Sequence, residues 1–254
     1  MKKLILSFTF IMITLALYVQ TSNYQKNNED MTENREKIPL YDYTEKEWNK
    51  VSAYIEQQYG EYKNVMHEIV SPDIHCDVVV VEPTEDQPYY KLITMGAGAY
   101  QMNVPKSLKG EVYDRAEYVI FLPKDWNIES DDEEFYWPIR MLKTIARLPI
   151  YLENWLGSGH TAQYEDGSPL SETAGYNSCV LLPSIGMGKK HVKPLKLGFW
   201  GKKIAFYQIF PLYQEELDFK LAHSLDELLD KMDMGDNYTD EKLIIDIHRK
   251  NCCK

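Results

Sequence analysis

Cysteine is scarce. Four thiols, Cys76, Cys179, Cys252 and Cys253, serve 254 residues, and two of them are adjacent. That number and spacing exclude a disulfide framework, so reduced thiols are expected. Basic residues are in deficit, 28 against 39 acidic, for a net charge of -11. Such a surface repels phosphate backbones and attracts basic proteins, so nucleic acid is not an expected partner. Familiar catalytic loops are missing too. No G-x-x-x-x-G-K-[ST] occurs, Gln101 stands where a dinucleotide loop opening on Gly96 and Gly98 needs its third glycine, and G-x-S-x-G is absent. No repeat of 20 to 50 residues is visible, which argues against solenoids and propellers. The apolar share of 44% is ordinary for a globular chain, and the length suffices for a closed core.

The N-terminus carries an uncharged run from Leu4 to Val19 behind Lys2 and Lys3, short of the roughly 20 residues that cross a bilayer as a helix. It reads as a signal peptide or a short membrane anchor over residues 1–19, giving an anchored or exported protein. No A-x-A site follows it, and no cysteine before Cys76 serves a lipoprotein. A start at Met31 would instead leave the protein cytoplasmic. Residues 20–40 are a polar linker.

In the body, Thr44 and Glu47 form a capping box ahead of Trp48, Val51, Ile55 and Tyr59 at helical spacing, which predicts a helix over 45–59. Branched and aromatic runs at 62–70, 76–81, 89–94 and 116–122 predict strands, and the unbroken valines at 78–81 predict one buried on both faces. Trp137-Pro138 marks a helix start, with an apolar face up to Pro149. Strands follow at 179–182, 196–200 and 203–210, the last two joined at Gly201, then helices over 212–222 and 225–233. Residues 236–254 read as an amphipathic tail. The fold class is α+β: a central mixed or antiparallel sheet of about 6–8 strands covered by helices, in one domain over 41–235.

Catalytic groupings fail one by one. His67-Glu68 begins a zinc-protease pattern, but Ser71 occupies the second histidine position and Pro72 follows. His75, Cys76 and Asp77 alternate across a strand, so neighbours face opposite ways. Cys179 opens an apolar strand and reads as buried. Glu215 and Glu216 face about 100° apart on a helix, which does not suit paired acid and base work. No metal, cofactor or catalytic residue is expected. What stands out is an acidic run, Glu129, Asp131, Asp132, Glu133 and Glu134, read as an exposed loop ahead of the Trp137 helix.

Six blocks in order, DVVVVEPTEDQPYYKLITMGAGAYQMNVP (77–105), AEYVIFLPKDW (116–126), WPIRMLKTIARLP (137–149), NWLGSGHT (154–161), CVLLP (179–183) and FYQIFPLYQEELDFKL (206–221), resemble the suppressor of fused family. The similarity is to the single-lobe bacterial type. It implies a noncatalytic protein-binding domain, an immunity protein that neutralises a polymorphic toxin, with a basic toxin domain as partner. The expected contact residues are Asp131, Asp132, Glu133 and Glu134 as steering charges and Trp155 and His160 in the glycine-rich turn as anchors, because aromatic centres beside charged rims are common interface anatomy. Two alternatives stand beside this: a membrane-tethered adaptor holding an extended peptide, and a hydrolase using His160 with Ser158 or Cys179.

Overall fold

A computed structural model describes residues 13–15, 39–198, 201–235 and 238–254. The expected signal or anchor at 1–19, apart from residues 13–15, and most of the linker at 20–40 lie outside the described residues. Among the described residues no helix is long and apolar enough to cross a membrane.

Helix α1 (Glu45–Tyr59) starts as the capping box dictates: Thr44 Oγ1 accepts the Glu47 amide, and the Glu47 carboxylate accepts the Thr44 amide. Its buried face is Val51, Ile55 and Tyr59, and it ends at Gly60, whose φ of 114° favours a residue without Cβ. The strands are β1 (Ile13–Leu15), β2 (Asn64–Met66), β3 (Asp77–Val81), β4 (Tyr89–Met95), β5 (Ala116–Pro123), β6 (Thr161–Tyr164), β7 (Ser178–Pro183), β8 (Leu195–Leu197) and β9 (Lys202–Leu212). Their order is β1-β6-β7-β9-β5-β4-β3-β2, with β8 hydrogen-bonded to β9. The sheet is mixed: β5 runs parallel to β9 and β1 parallel to β6, and the remaining pairs are antiparallel.

Strand alternation sends side chains to two cores. Val78, Leu92, Ile120 and Ile209 join one beneath α2 (Glu133–Tyr151); Val79, Ile93, Val119 and Phe210 join the other beneath α1 and α4 (Leu225–Lys231). This is why the valine run carries no polar alternation. Helix α3 (Gln214–Ala222) directly follows β9. At the centre Glu117 is buried and accepts four hydrogen bonds, from Tyr43 (2.7 Å), Thr94 (2.6 Å), and the amides of Gly96 (3.0 Å) and Gly98 (3.1 Å). Burial pushes its carboxyl above the ordinary range, against the pull of these donors.

Several boundaries differ from the sequence reading. Helix α2 begins at Glu133, four residues before Trp137, and holds Pro138 and Pro149 within it. The two lost amide donors are tolerated because Trp137, Ile139, Leu142 and Ile145 bury beside and beyond Pro138, and Leu148 and Ile150 bury beside Pro149. The strand expected over 62–70 shrinks to β2, since the chain at Glu68 leaves the ladder to bond the Asp77 carboxylate instead (2.8 Å). Strand β6 has no counterpart in the sequence reading. The C-terminal segment forms only a 3-10 turn, Glu241–Leu243, and then a strap: Leu243 and Ile245 are buried, and the Ile245 amide bonds the Phe121 carbonyl at 2.9 Å.

Candidate functional site

The acidic run does not form one exposed loop. Glu133 and Glu134 occupy the first turn of α2, where negative charge is favoured by the helix dipole, and Asp132 sits at the N-cap position without a side-chain capping bond. Glu133 is further engaged by Arg140. All five carboxylates, Glu129, Asp131, Asp132, Glu133 and Glu134, remain exposed.

Trp155 and His160 come together just beyond the other end of α2, their rings 4.3 Å apart. The turn between them is locked to β7: the Gly159 amide donates to Leu181 (2.7 Å), and the Leu181 amide donates to His160 (2.8 Å). Lys220 Nζ donates to the Gly159 carbonyl at 2.7 Å. Burial, and then the Lys220 cation, hold the His160 imidazole below its ordinary range. Its Nδ1 is buried with no hydrogen-bond partner among the described residues. Trp155 is half-buried against the α2-side core, so it serves packing as well as display. Since α2 has 19 residues and rises 1.5 Å per residue, about 27 Å separates this turn from the acidic residues. The expected contact residues therefore form two sites, at opposite ends of one helix.

The geometry does not favour the hydrolase alternative. Cys179 is buried in β7, where burial pushes its thiol up to about 12, the reverse of an activated thiolate. Among the described residues no hydrogen bond joins Ser158 to His160. Cys76 points into the α2-side core, away from the carboxylate that its neighbours share. His67 Nδ1 and His75 Nε2 approach the Asp77 oxygens at 2.8 and 3.3 Å. Among the described residues no group of three His, Cys, Asp or Glu side chains is placed to hold a metal ion.

Sequence reasoning missed a groove of about 590 Å³ beside the acidic rim. Its apolar lining is Val65 and Met66 of β2, Tyr90 of β4, and Trp126 and Ile128 from the turn after β5; its charged lining includes Lys63, Glu82 and Glu129. Burial, with Glu82 and Glu129 nearby, pushes the Tyr90 phenol up. The available signal was Trp126 and Ile128 standing directly before the carboxylate run.

The segment after β2 is stapled. Arg147 grips both Glu68 oxygens (2.7 and 2.8 Å) and Asp73 (2.9 Å), Ser71 bonds Glu68 (2.8 Å), and Glu68 accepts the Cys76 amide (3.2 Å). At its tip Ile69 and Val70 are 96% and 79% exposed, more than any other large apolar residue described.

The family model for the suppressor of fused protein matches residues 72–250. The chain belongs to the suppressor of fused family. Among solved structures, a suppressor of fused homologue from Neisseria gonorrhoeae aligns with a TM-score of 0.55 at 16% identity, covering 80% of this chain and 95% of that one. The complex of Sufu with Fu aligns with a TM-score of 0.58 at 12% identity, covering 81% and 91%. At these identities the structures speak to fold, and both show the suppressor of fused lobe. No curated protein sequence matches the chain.

Proposed function

We propose that this suppressor of fused domain is an immunity protein that binds and neutralises a basic toxin domain. Its family's fold is one of protein interaction: Sufu is known in complex with Fu. The observation that carries the reading is a groove of about 590 Å³ lined by Glu82 and by Glu129, the first residue of the acidic run, in a chain of net charge -11. Such a field raises the encounter rate with a basic partner, and occupying a toxin's cleft neutralises it without any chemistry on the inhibitor's part. Trp155 and His160 are a second contact, reached by a partner that spans α2.

Co-expression with the toxin encoded beside its gene tests this. The full chain is expected to restore growth and to copurify with the toxin; absence of both protection and complex refutes the reading. Replacing Asp131, Asp132, Glu133 and Glu134 with Ser is expected to slow association and flatten its salt dependence. Deleting residues 1–30 separates the alternatives, because a tethered adaptor loses its role while an inhibitor acting in the cytoplasm keeps it.

A further inference from the structure

The strand order ends at β2, and among the described residues nothing pairs with its outer side. An unpaired edge presents backbone N–H and C=O groups in a row, and proteins ordinarily blunt such edges. Here the three-residue edge runs along the groove lined by Tyr90 and Trp126, and the chain beyond it leads to the Ile69 and Val70 tip. Two exposed branched residues on a mobile loop would be unremarked. On this segment they are held by the Arg147, Glu68 and Asp73 staple, so a partner meets them already ordered and little conformational entropy is lost on contact. Negative charge leads in the groove, where Glu82 and Glu129 face Lys63, while near the tip the Arg147 and Lys143 cations are already taken up by Glu68 and Asp73.

We infer that the free edge of β2 takes an extended, lysine- or arginine-bearing segment of another protein as the next strand of the sheet, with Ile69 and Val70 clamping its far end. Backbone hydrogen bonds to β2 supply register, the carboxylates select basic side chains, and the tip supplies apolar contact. The inference rests on the protein-binding reading and names the chemistry of the partner. It places the primary contact on an edge that no expected contact residue occupies.

The test uses the full chain and three labelled heptapeptides followed by fluorescence anisotropy: one alternating Lys with Val, its Glu counterpart, and the Lys peptide N-methylated along one edge. The Lys peptide is expected to bind saturably and to slow amide exchange at residues 63–67. The N-methylated peptide is expected to lose binding, and the Glu peptide to bind at least about tenfold more weakly. Glu82→Gln with Glu129→Gln is expected to weaken the Lys peptide roughly two- to thirtyfold. Ile69→Ser with Val70→Ser, both at solvent and so harmless to folding, is expected to weaken it about tenfold or more. Equal binding of the N-methylated peptide, equal binding of the Glu peptide, or no binding at all overturns the inference. So does protection of the residue 64–66 outer amides in the free monomer, which would put this chain's own N-terminal segment on the edge, or a dimer that the peptide dissociates, which would put a second copy there. Protection against the toxin is scored separately: its failure with peptide binding intact sinks the immunity reading alone, and the reverse result sinks this inference alone.

Discussion

Arg249 is the residue on which the C-terminal strap depends, and its removal should be felt by the whole domain. Its Nη1 and Nη2 donate to the two oxygens of Glu216 at 2.6 and 2.7 Å, and the Glu216 side chain is 0% exposed. The guanidinium carbon lies 5.4 Å from the ring centres of Tyr176 and Phe210 and 5.1 Å from that of Tyr213. The same carboxylate accepts the amides of Tyr213 (3.1 Å) and Cys252 (3.0 Å), tying α3, β9 and the strap at one point. Arg249→Ala leaves a buried carboxylate without its cation, a change that costs about 3–5 kcal/mol. At roughly 2–4 °C per kcal/mol for a domain of this size, the expected fall in Tm is about 6–20 °C. Urea unfolding of Arg249→Met, Glu216→Met and the Arg249→Met/Glu216→Met pair closes a cycle that isolates the pairing, with Arg249→Ala measured beside it. The double variant should cost clearly less than the two single changes together, because it removes both charges from the interior. A loss under about 1 kcal/mol in Arg249→Ala, or strict additivity in the cycle, refutes the argument that the pair is a buried clasp.

Gln208 sits in β9 between Val119 and Leu182 on the neighbouring strands, fully buried, with neither amide atom paired among the described residues. Gln208→Leu is expected to stabilise by about 1–3 kcal/mol in a thermal melt, and an unchanged or lowered Tm would show that the amide is satisfied. Glu117→Ala orphans four donors and is expected to cost more than about 3 kcal/mol in urea unfolding, with Glu117→Gln costing less; equal losses would mean that packing, not these hydrogen bonds, matters there. Burial pushes the ammonium groups of Lys91 and Lys220 down to about 8. Between there and the unfolded lysine's value of about 10.4, the unfolded chain holds protons that the native one has shed, so these two groups make stability rise with pH. Lys220→Met should flatten that rise in urea titrations from about pH 8 to 10, and a slope identical to the parent's would remove Lys220 from the account.

The parts of the fold that read clearly in the sequence are those whose signal is local. The Thr44 and Glu47 box and the residues 51, 55 and 59 behind it need no tertiary partner to announce a helix, and the structure has that helix at 45–59. The valine run reads as buried on both faces, and every residue of β3 is buried. What escaped was decided by partners far along the chain. Helix α2 reaches back to Glu133 because burial of Trp137 carries the chain through Pro138. The strand expected to Val70 stops at Met66 because Asp77, nine residues beyond Glu68, claims the Glu68 amide. The carboxylate run was visible as composition. The groove beside it was not, since Val65, Tyr90 and Trp126 come together only once β2 and β4 lie in the sheet and the turn after β5 folds over them.

The placement of ion pairs bears on which surface is built for contact. Replacing a buried ion pair with packed apolar residues is often neutral or stabilising, so such a pair is weak evidence of a need for stability. The Arg147, Glu68 and Asp73 group is nearly buried, yet the segment it holds buries neither Ile69 nor Val70. Hydrophobic burial cannot fix a tip whose apolar residues face water, so the polar staple is the means left to give that tip one conformation. Arg249 and Glu216 differ, because the strap they hold also buries Leu243 and Ile245. The C-terminal clasp thus works alongside the core, whereas the staple after β2, besides bonding the buried Ile74 carbonyl, fixes two residues that the core does not hold. Of the two, only the second spends its polar contacts on the shape of a surface, and that surface adjoins the open edge of the sheet.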